Sequence, residues 1–307
     1  MMKKYIFIGL IVLIFGGLWY LYQPPIPLEE LKKEYTDEYS HFIKLNGLDV
    51  HYKKKGNGFP ILLIHGTSSS LHTWEQWEQY LSKNYTTYSI DMQGGGLTSP
   101  ALNNEYSIQA YLDLLDAFVE ELNIDSFYLV GNSLGGHTAW AYAANAKYAD
   151  RVKKLVLVDP SGFFDKNREK PLVFKLAKYN FLLNNAEYIN TNSFVKRSLK
   201  EVFYNDDLIT PQIVKRYTDL GRRPETGRHF FIKYNRWKRV KSDLHKIKCP
   251  TLIQWGREDA WIPLSLSDIF VANIPNNKLI IYENCGHIPM EEIPEKSVTD
   301  VINFFEE

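Results

Sequence analysis

The chain has 307 residues, which is room for one large α/β domain with an insertion but not comfortably for two unrelated domains. It is 45% hydrophobic and 23% charged, with 36 Lys+Arg against 36 Asp+Glu and a formal net charge of zero. A core of this size needs no metal or disulfide to hold it, and the scattered basic residues form no run that points to nucleic acid as a partner.

The N-terminus opens with Met1-Met2-Lys3-Lys4 and continues as an uncharged apolar run over residues 5–22, YIFIGLIVLIFGGLWYLY. At about 1.5 Å per residue this run reaches roughly 27 Å, close to the thickness of a bilayer core. Trp19, Tyr20 and Tyr22 sit at its far end, where an interfacial aromatic belt lies. Gln23-Pro24-Pro25 follows in place of a small-residue cleavage site, so residues 1–22 read as an uncleaved signal-anchor helix. A cleaved signal peptide and a secreted product is the alternative. Lys3 and Lys4 precede the span, while Glu29 and Glu30 follow it. That asymmetry puts the remaining domain on the outer face, although Lys32 and Lys33 weaken the bias. Residues 23–40 read as a spacer with a Pro-rich start and a short charged helix.

From residue 42 apolar segments alternate with amphipathic ones. Residues 42–45 and 48–53 flank Asn46-Gly47, a strong hairpin signal. Strands are expected over 60–64 (PILLI), to residue 91 from about 88, and over 127–130 (FYLV), 155–158 (LVLV), 251–255 (TLIQW) and 279–282 (LIIY). Helices are expected over 71–83, 108–122, 135–146 and 295–305. Apolar strands separated by helices predict a mostly parallel sheet covered on both faces, with the hairpin adding antiparallel strands at one edge. The core is assigned to 41–160 and 246–307. Between them, 161–245 carries polar, aromatic and basic helical segments without a buried strand. A helical cap inserted over the carboxyl ends of the strands is expected there. The same fold puts Cys249 and Cys285 at opposite ends of the sheet, too far apart for a disulfide, and no zinc spacing is present.

The central chemical signal is Gly131-Asn132-Ser133-Leu134-Gly135-Gly136, which leaves a strand and opens a helix. That is the context of a G-x-S-x-G nucleophile elbow, where small flanking residues allow a sharp turn with Ser133 exposed at its tip. A serine hydroxyl needs a base to take its proton. His287, in Glu283-Asn284-Cys285-Gly286-His287, follows the last strand and is the candidate. Asp259, after TLIQW, is the orienting carboxylate, with Glu258 and Asp159 as rivals. The oxyanion needs two backbone N–H donors: Leu134, next to the nucleophile, and Thr67 in the turn His65-Gly66-Thr67-Ser68-Ser69-Ser70, with Ser68 as the other choice. These small polar residues also suit the capping of the next helix. Asp91-Met92-Gln93-Gly94-Gly95-Gly96 lacks the spacing and the lysine of a phosphate cradle and reads as a tight turn. No metal or cofactor is expected.

In this order the motifs HGT at 65–67, D-x-x-G-x-G-x-T at 91–98, GNSLGG at 131–136, WGREDAWIP and CGHIPMEEIPE resemble the α/β-hydrolase family over residues 42–307. Within it, HGTSSSLHTWEQW, GNSLGG and LVLVDPSG look like bacterial lipases and esterases, and also like hydrolases that cleave carbon–carbon bonds in ring-fission products. One departure is that Gln93 and Gly95 stand where the family often has a proline and a bulky residue. The resemblance implies an ester or related acyl substrate and an acyl-enzyme on Ser133. An apolar acyl group would suit the cap aromatics Phe163, Phe164, Phe174, Tyr179, Phe181 and Tyr188, which equally suit packing of the cap on the core. Carbon–carbon bond hydrolysis, or hydrolysis of another acyl group, on the same triad is the runner-up, and a non-catalytic membrane-tethered binding protein is the third reading. Neither the oligomeric state nor the acyl length is encoded by any motif.

Overall fold

The computed structural model describes residues 5, 16, 22–163, 188, 191–224 and 243–307. The expected membrane span therefore lies outside the described residues apart from Tyr5, Gly16 and Tyr22. Among the described residues no helix is long and apolar enough to cross a membrane.

Eight strands form one sheet in the order β1-β2-β4-β3-β5-β6-β7-β8. They are β1 (Ser40–Leu45), β2 (Leu48–Lys55), β3 (Phe59–Ile64), β4 (Tyr85–Ile90), β5 (Phe127–Asn132), β6 (Val152–Val158), β7 (Thr251–Gly256) and β8 (Asn277–Tyr282). In the β1–β2 hairpin Leu45 pairs with Leu48, and both turn residues, Asn46 and Gly47, have positive φ. A tight hairpin turn demands that geometry, and an Asn-Gly pair supplies it at little cost. β2 pairs antiparallel with β4, and every pairing from β4 across to β8 is parallel.

Among the described residues the helices with defined bounds are α1 (Leu28–Tyr35), α2 (Glu75–Leu81), α3 (Ile108–Glu121), α4 (Leu134–Ala144), α5 (Asn192–Leu199), α6 (Pro211–Gly221), α7 (Ser267–Asn273), α8 (Pro289–Glu292) and α9 (Pro294–Glu306). Their starts follow local chemistry. Ser107 accepts from the Ala110 N–H ahead of α3, and Thr210 accepts from the Ile213 N–H ahead of α6, whose first residue is a proline. The stretch expected as one helix over 71–83 is a 3₁₀ turn, Leu71–Trp74, running into α2.

Alternate residues of the central strands enter opposite layers. Leu62, Ile64, Leu129, Leu155, Leu157 and Ile253 pack with Phe118, Tyr142 and Phe270 on one face. Ile61, Leu63, Val130, Val156, Val158 and Leu252 pack with Trp74, Trp77, Val298 and Phe305 on the other. With both faces covered, β3 is apolar throughout and β6 is apolar from Leu155 to Val158, and each buried aliphatic side chain contributes about 1.5–3 kcal/mol. α4 is buried along its whole length, which explains its alanine-rich sequence without a polar face.

The expected spacer over 23–40 contains its short charged helix as α1, and that helix is docked. Leu31 is buried against Leu97 and Leu220, and the Tyr35 hydroxyl donates to Asp219 Oδ2 (2.8 Å). Lys215 Nζ meets Glu34 Oε1 at 2.8 Å.

Of the segment 161–245, the described part holds α5 and α6 and reaches loops at the carboxyl ends of the strands. Arg223 donates to the Gly96 and Thr98 carbonyls after β4, and the Val202 carbonyl accepts from the His287 N–H after β8. Arg216 Nη2 lies 2.6 Å from Glu291 Oε2, while the Tyr217 and Thr73 hydroxyls donate to Glu291 Oε1 at 2.8 and 2.6 Å. Of the aromatics expected in a cap, Phe163 packs on Trp140 and Phe270, and Tyr188 stacks on Tyr22. Phe164, Phe174, Tyr179 and Phe181 lie outside the described residues.

Candidate active site

β5 delivers the chain to Ser133, which has φ 53° and ψ −115° before α4 begins at Leu134. This is a strained position for a residue with a side chain, costing about 1–3 kcal/mol, and the surroundings hold it. The Ser133 N–H donates to the Val158 carbonyl (3.1 Å), and the Ser133 carbonyl accepts from His137 and Ser161 N–H (both 2.9 Å). Gly135 is required by close approach. A Cβ there would stand 2.6 Å from the Ile64 carbonyl carbon and 2.7 Å from the His65 carbonyl oxygen. Neither backbone group can rotate away as a side chain does.

His287 and Asp259 meet after β8 and β7. His287 Nδ1 lies 2.7 Å from Asp259 Oδ2, and Asp259 Oδ1 accepts from the N–H groups of Trp261 (2.7 Å) and Ile262 (2.8 Å). Asp259 Oδ1 accepts from two N–H groups and its Oδ2 faces His287 Nδ1, which carries the ring proton and donates it. That leaves Nε2 as the basic nitrogen of the ring, and it is buried without a hydrogen-bond partner among the described residues. The histidine loop is tied to the elbow by Asn132, whose Nδ2 donates to the His287 and Val158 carbonyls (both 3.1 Å). Ser133, Asp259 and His287 thus leave β5, β7 and β8 at the same end of the sheet, and each is at least nine-tenths buried.

The turn after β3 lies against the elbow, since a Cβ on Gly66 would be 3.0 Å from Ser133 Cβ. Thr67 follows in that turn, while Leu134 begins α4, where backbone N–H groups have no partner within the helix. His65 braces the turn. Its Nε2 accepts from the Met92 N–H (3.0 Å), so its Nδ1 donates to the Gly66 carbonyl (2.7 Å). The ring also accounts for the departure at Gly95, where a Cβ would stand 2.6 Å from His65 Cε1. The segment 91–96 is the scaffold of this corner. Asp91 accepts from Leu71 N–H (2.7 Å) and Leu97 N–H (2.9 Å) and meets His51 Nδ1 at 2.7 Å. Burial alone would raise the Asp91 carboxyl, but His51 and then His65 outweigh it and hold it well below the usual carboxylate range.

Several supporting residues carry no local sequence signal. Glu292 accepts from Gly286 N–H (2.6 Å), Tyr204 N–H (2.8 Å) and Asn205 N–H (3.1 Å), which joins the histidine loop to the described part of 161–245. Glu258, a rival for the acid, instead accepts from the Cys285 N–H (3.0 Å). Asp159, the other rival, is fully buried beside Asp259 and His287. These three bring a ligand-type atom each to within 4.8 Å of one another. The direct 2.7 Å bond between His287 and Asp259 is shorter than two ligand atoms stand apart on a metal with bonds of about 2.0–2.1 Å in tetrahedral geometry, so the group is a hydrogen-bonded one. Cys249 and Cys285 are both free thiols.

The model of the alpha/beta hydrolase fold family matches residues 60–294. The chain is 30% identical over 261 residues to the monoacylglycerol lipase ABHD6 of Mus musculus, covering 82% of this chain and 76% of that protein. It is 26% identical over 253 residues to the 2-hydroxy-6-oxo-6-phenylhexa-2,4-dienoate hydrolase of Burkholderia cepacia, covering 79% of this chain and 86% of that one. Among solved structures, a meta-cleavage product hydrolase from Pseudomonas fluorescens superposes with a TM-score of 0.75 at 26% identity, over 87% of this chain and 97% of that one. A membrane phospholipase A shares the fold at a TM-score of 0.77 and 24% identity, over 100% of this chain and 98% of that one. The chain belongs to the alpha/beta hydrolase fold family and is a hydrolase related to lipases and to meta-cleavage product hydrolases.

Proposed function

We propose that the chain is a serine hydrolase that cleaves carboxylic esters through an acyl-enzyme intermediate. The observation that carries this reading is the His287–Asp259 hydrogen bond, which leaves Nε2 basic at the sheet end where the elbow holds Ser133. Ser133 Oγ attacks the ester carbonyl carbon while His287 Nε2 takes its proton, and Asp259 stabilises the imidazolium. The N–H groups of Thr67 and Leu134 hold the oxyanion. His287 then gives the proton to the departing alcohol, and water, activated by the same nitrogen, releases the acid. The relative named as a monoacylglycerol lipase supports an ester with an apolar acyl group. The relative from Burkholderia cepacia supports the second reading, in which the same three residues cleave a carbon–carbon bond of a ring-fission product.

The test compares p-nitrophenyl esters of increasing acyl length with a vinylogous diketone, using the full chain in detergent and its Ser133→Ala variant. Ester turnover that disappears in the variant supports the first reading. Turnover of the diketone alone replaces it with the second.

The apolar run over 5–22 is proposed as an uncleaved single-pass anchor with the catalytic domain on the outer face, on the strength of Lys3 and Lys4 before it and the acidic residues after it. The native protein is expected at full mass in membranes washed with high salt. A soluble form beginning near residue 23 would overturn the anchor.

A further inference from the structure

Asp159 closes β6 at the sheet end that carries the site, in the left-handed region at φ 44°. Its N–H donates to the Gln254 carbonyl (3.0 Å), and its Oδ1 accepts from the Gly256 N–H (2.9 Å) at the end of β7. The side chain is fully buried, and Oδ2 receives no donor among the described residues. One of its oxygens lies within 4.8 Å of both an Asp259 oxygen and a His287 ring nitrogen. The two carboxyl groups are differently supplied. Asp259 has His287, Trp261 and Ile262 as donors, whereas Asp159 has one backbone N–H.

The surroundings of Asp159 oppose a charge. Asp259 and Glu292 face it as acids, and the Cys285 thiol and Tyr282 hydroxyl bear on it as groups that burial keeps neutral. His287 becomes a cation only when it has taken a proton, and its positive charge is then met by Asp259. Burial first, and then the negative charge of Asp259, push the Asp159 carboxyl far above its ordinary range. Two like carboxyl groups this close, sealed from water, share their protons unevenly, and the one with fewer donors keeps its own.

We propose that Asp159 is a positioning residue, a neutral carboxylic acid that donates its O–H to Asp259 and keeps a single negative charge beside His287. This rests on the triad proposed above. In this role Asp159 keeps Asp259 facing Nδ1 and keeps a second anion away from the imidazole. It is also a reserve acid, because it can ionise once the neighbouring charge is gone.

Asp159→Asn is the decisive variant, since its amide N–H replaces the donor O–H and its carbonyl still accepts from Gly256. The first readout is the infrared difference spectrum of full-length wild type against Asp159→Asn at neutral pH. A neutral carboxylic C=O stretch lost in the variant supports the proposal, and the loss of a carboxylate band instead overturns it. The second is the pH profile of kcat/KM. The acid limb is expected to stay in place in Asp159→Asn. Removing a real negative charge would move it down by about one unit and refute the assignment. In the third, Asp259→Ala is expected to retain at least about tenfold more activity than Asp259→Ala/Asp159→Asn, and equal activities would refute the reserve role. If no ester is turned over, the rate of fluorophosphonate labelling replaces kcat/KM. The infrared result needs no substrate, so failure of this proposal is distinguished from failure of the ester reading.

Discussion

Glu291 fastens α6 to the core, and removing its charge should be costly in a specific way. In Glu291→Gln the amide oxygen still accepts from Thr73 and Tyr217, but the amide N–H then faces the Arg216 guanidinium, donor against donor. Arg216 stays charged in the variant because a guanidinium does not give up its proton in a protein, and it has lost the Glu291 carboxylate that offset its burial. Its side chain is 17% exposed and that of Glu291 6%, so the pair has little solvent to fall back on. Breaking one partner of a buried pair costs about 3–5 kcal/mol, and the partial exposure of Arg216 puts this case near the lower figure. At roughly 2–4 °C per kcal/mol, the melting temperature should fall by about 6–12 °C. Thermal unfolding of the full chain in detergent reads this directly. Arg216→Met/Glu291→Gln supplies the control, because it removes the orphaned guanidinium while the amide oxygen still accepts from Thr73 and Tyr217, and it should cost no more than the single change. A fall of less than about 2 °C in Glu291→Gln, or a double variant less stable than the single one, would refute the reasoning.

Gly135→Ala forces a Cβ against the Ile64 and His65 carbonyl groups, so the elbow must move away from β3. A displacement near 1 Å at Ser133 should lower kcat/KM about 100-fold in a variant that still folds by circular dichroism, and activity within about threefold of wild type would count against it. His137 is buried and stacked on Trp140, and burial lowers it from 6.5 to about 3. Its folded value is depressed, so between these limits the unfolded chain binds the extra proton and stability falls as pH drops from 6.5 towards about 3, by up to about 1.4 kcal/mol per unit. In His137→Phe, which keeps the ring stack, the melting temperature should depend less steeply on pH across that window. An unchanged slope would assign the acid sensitivity to other groups.

Much of this architecture was legible because its signals are local. Asn46-Gly47 states a hairpin whatever surrounds it, and PILLI, FYLV and LVLV announce buried strands by unbroken apolarity. Boundaries were less legible where polarity hides pairing. β6 begins at Val152, three residues before its apolar run, because Lys153 and Lys154 sit at its open end. The seven residues of α7 are too few to show a helical period. Within the site, Ser133, Asp259 and His287 could be chosen because each follows a strand with a characteristic turn. Asn132, Glu291 and Glu292 could not, as their roles depend on partners far away in sequence: His287, Arg216 and Tyr204. Asp159 was visible only as a rival acid, because sequence cannot show that a second carboxyl stands beside Asp259.

The most direct test of the central claim is the position of covalent labelling by a fluorophosphonate, read by mass spectrometry of the digested full chain. One adduct is expected, on Ser133, absent in Ser133→Ala and formed much more slowly in His287→Ala. An adduct on another residue, or undiminished labelling in Ser133→Ala, would contradict it.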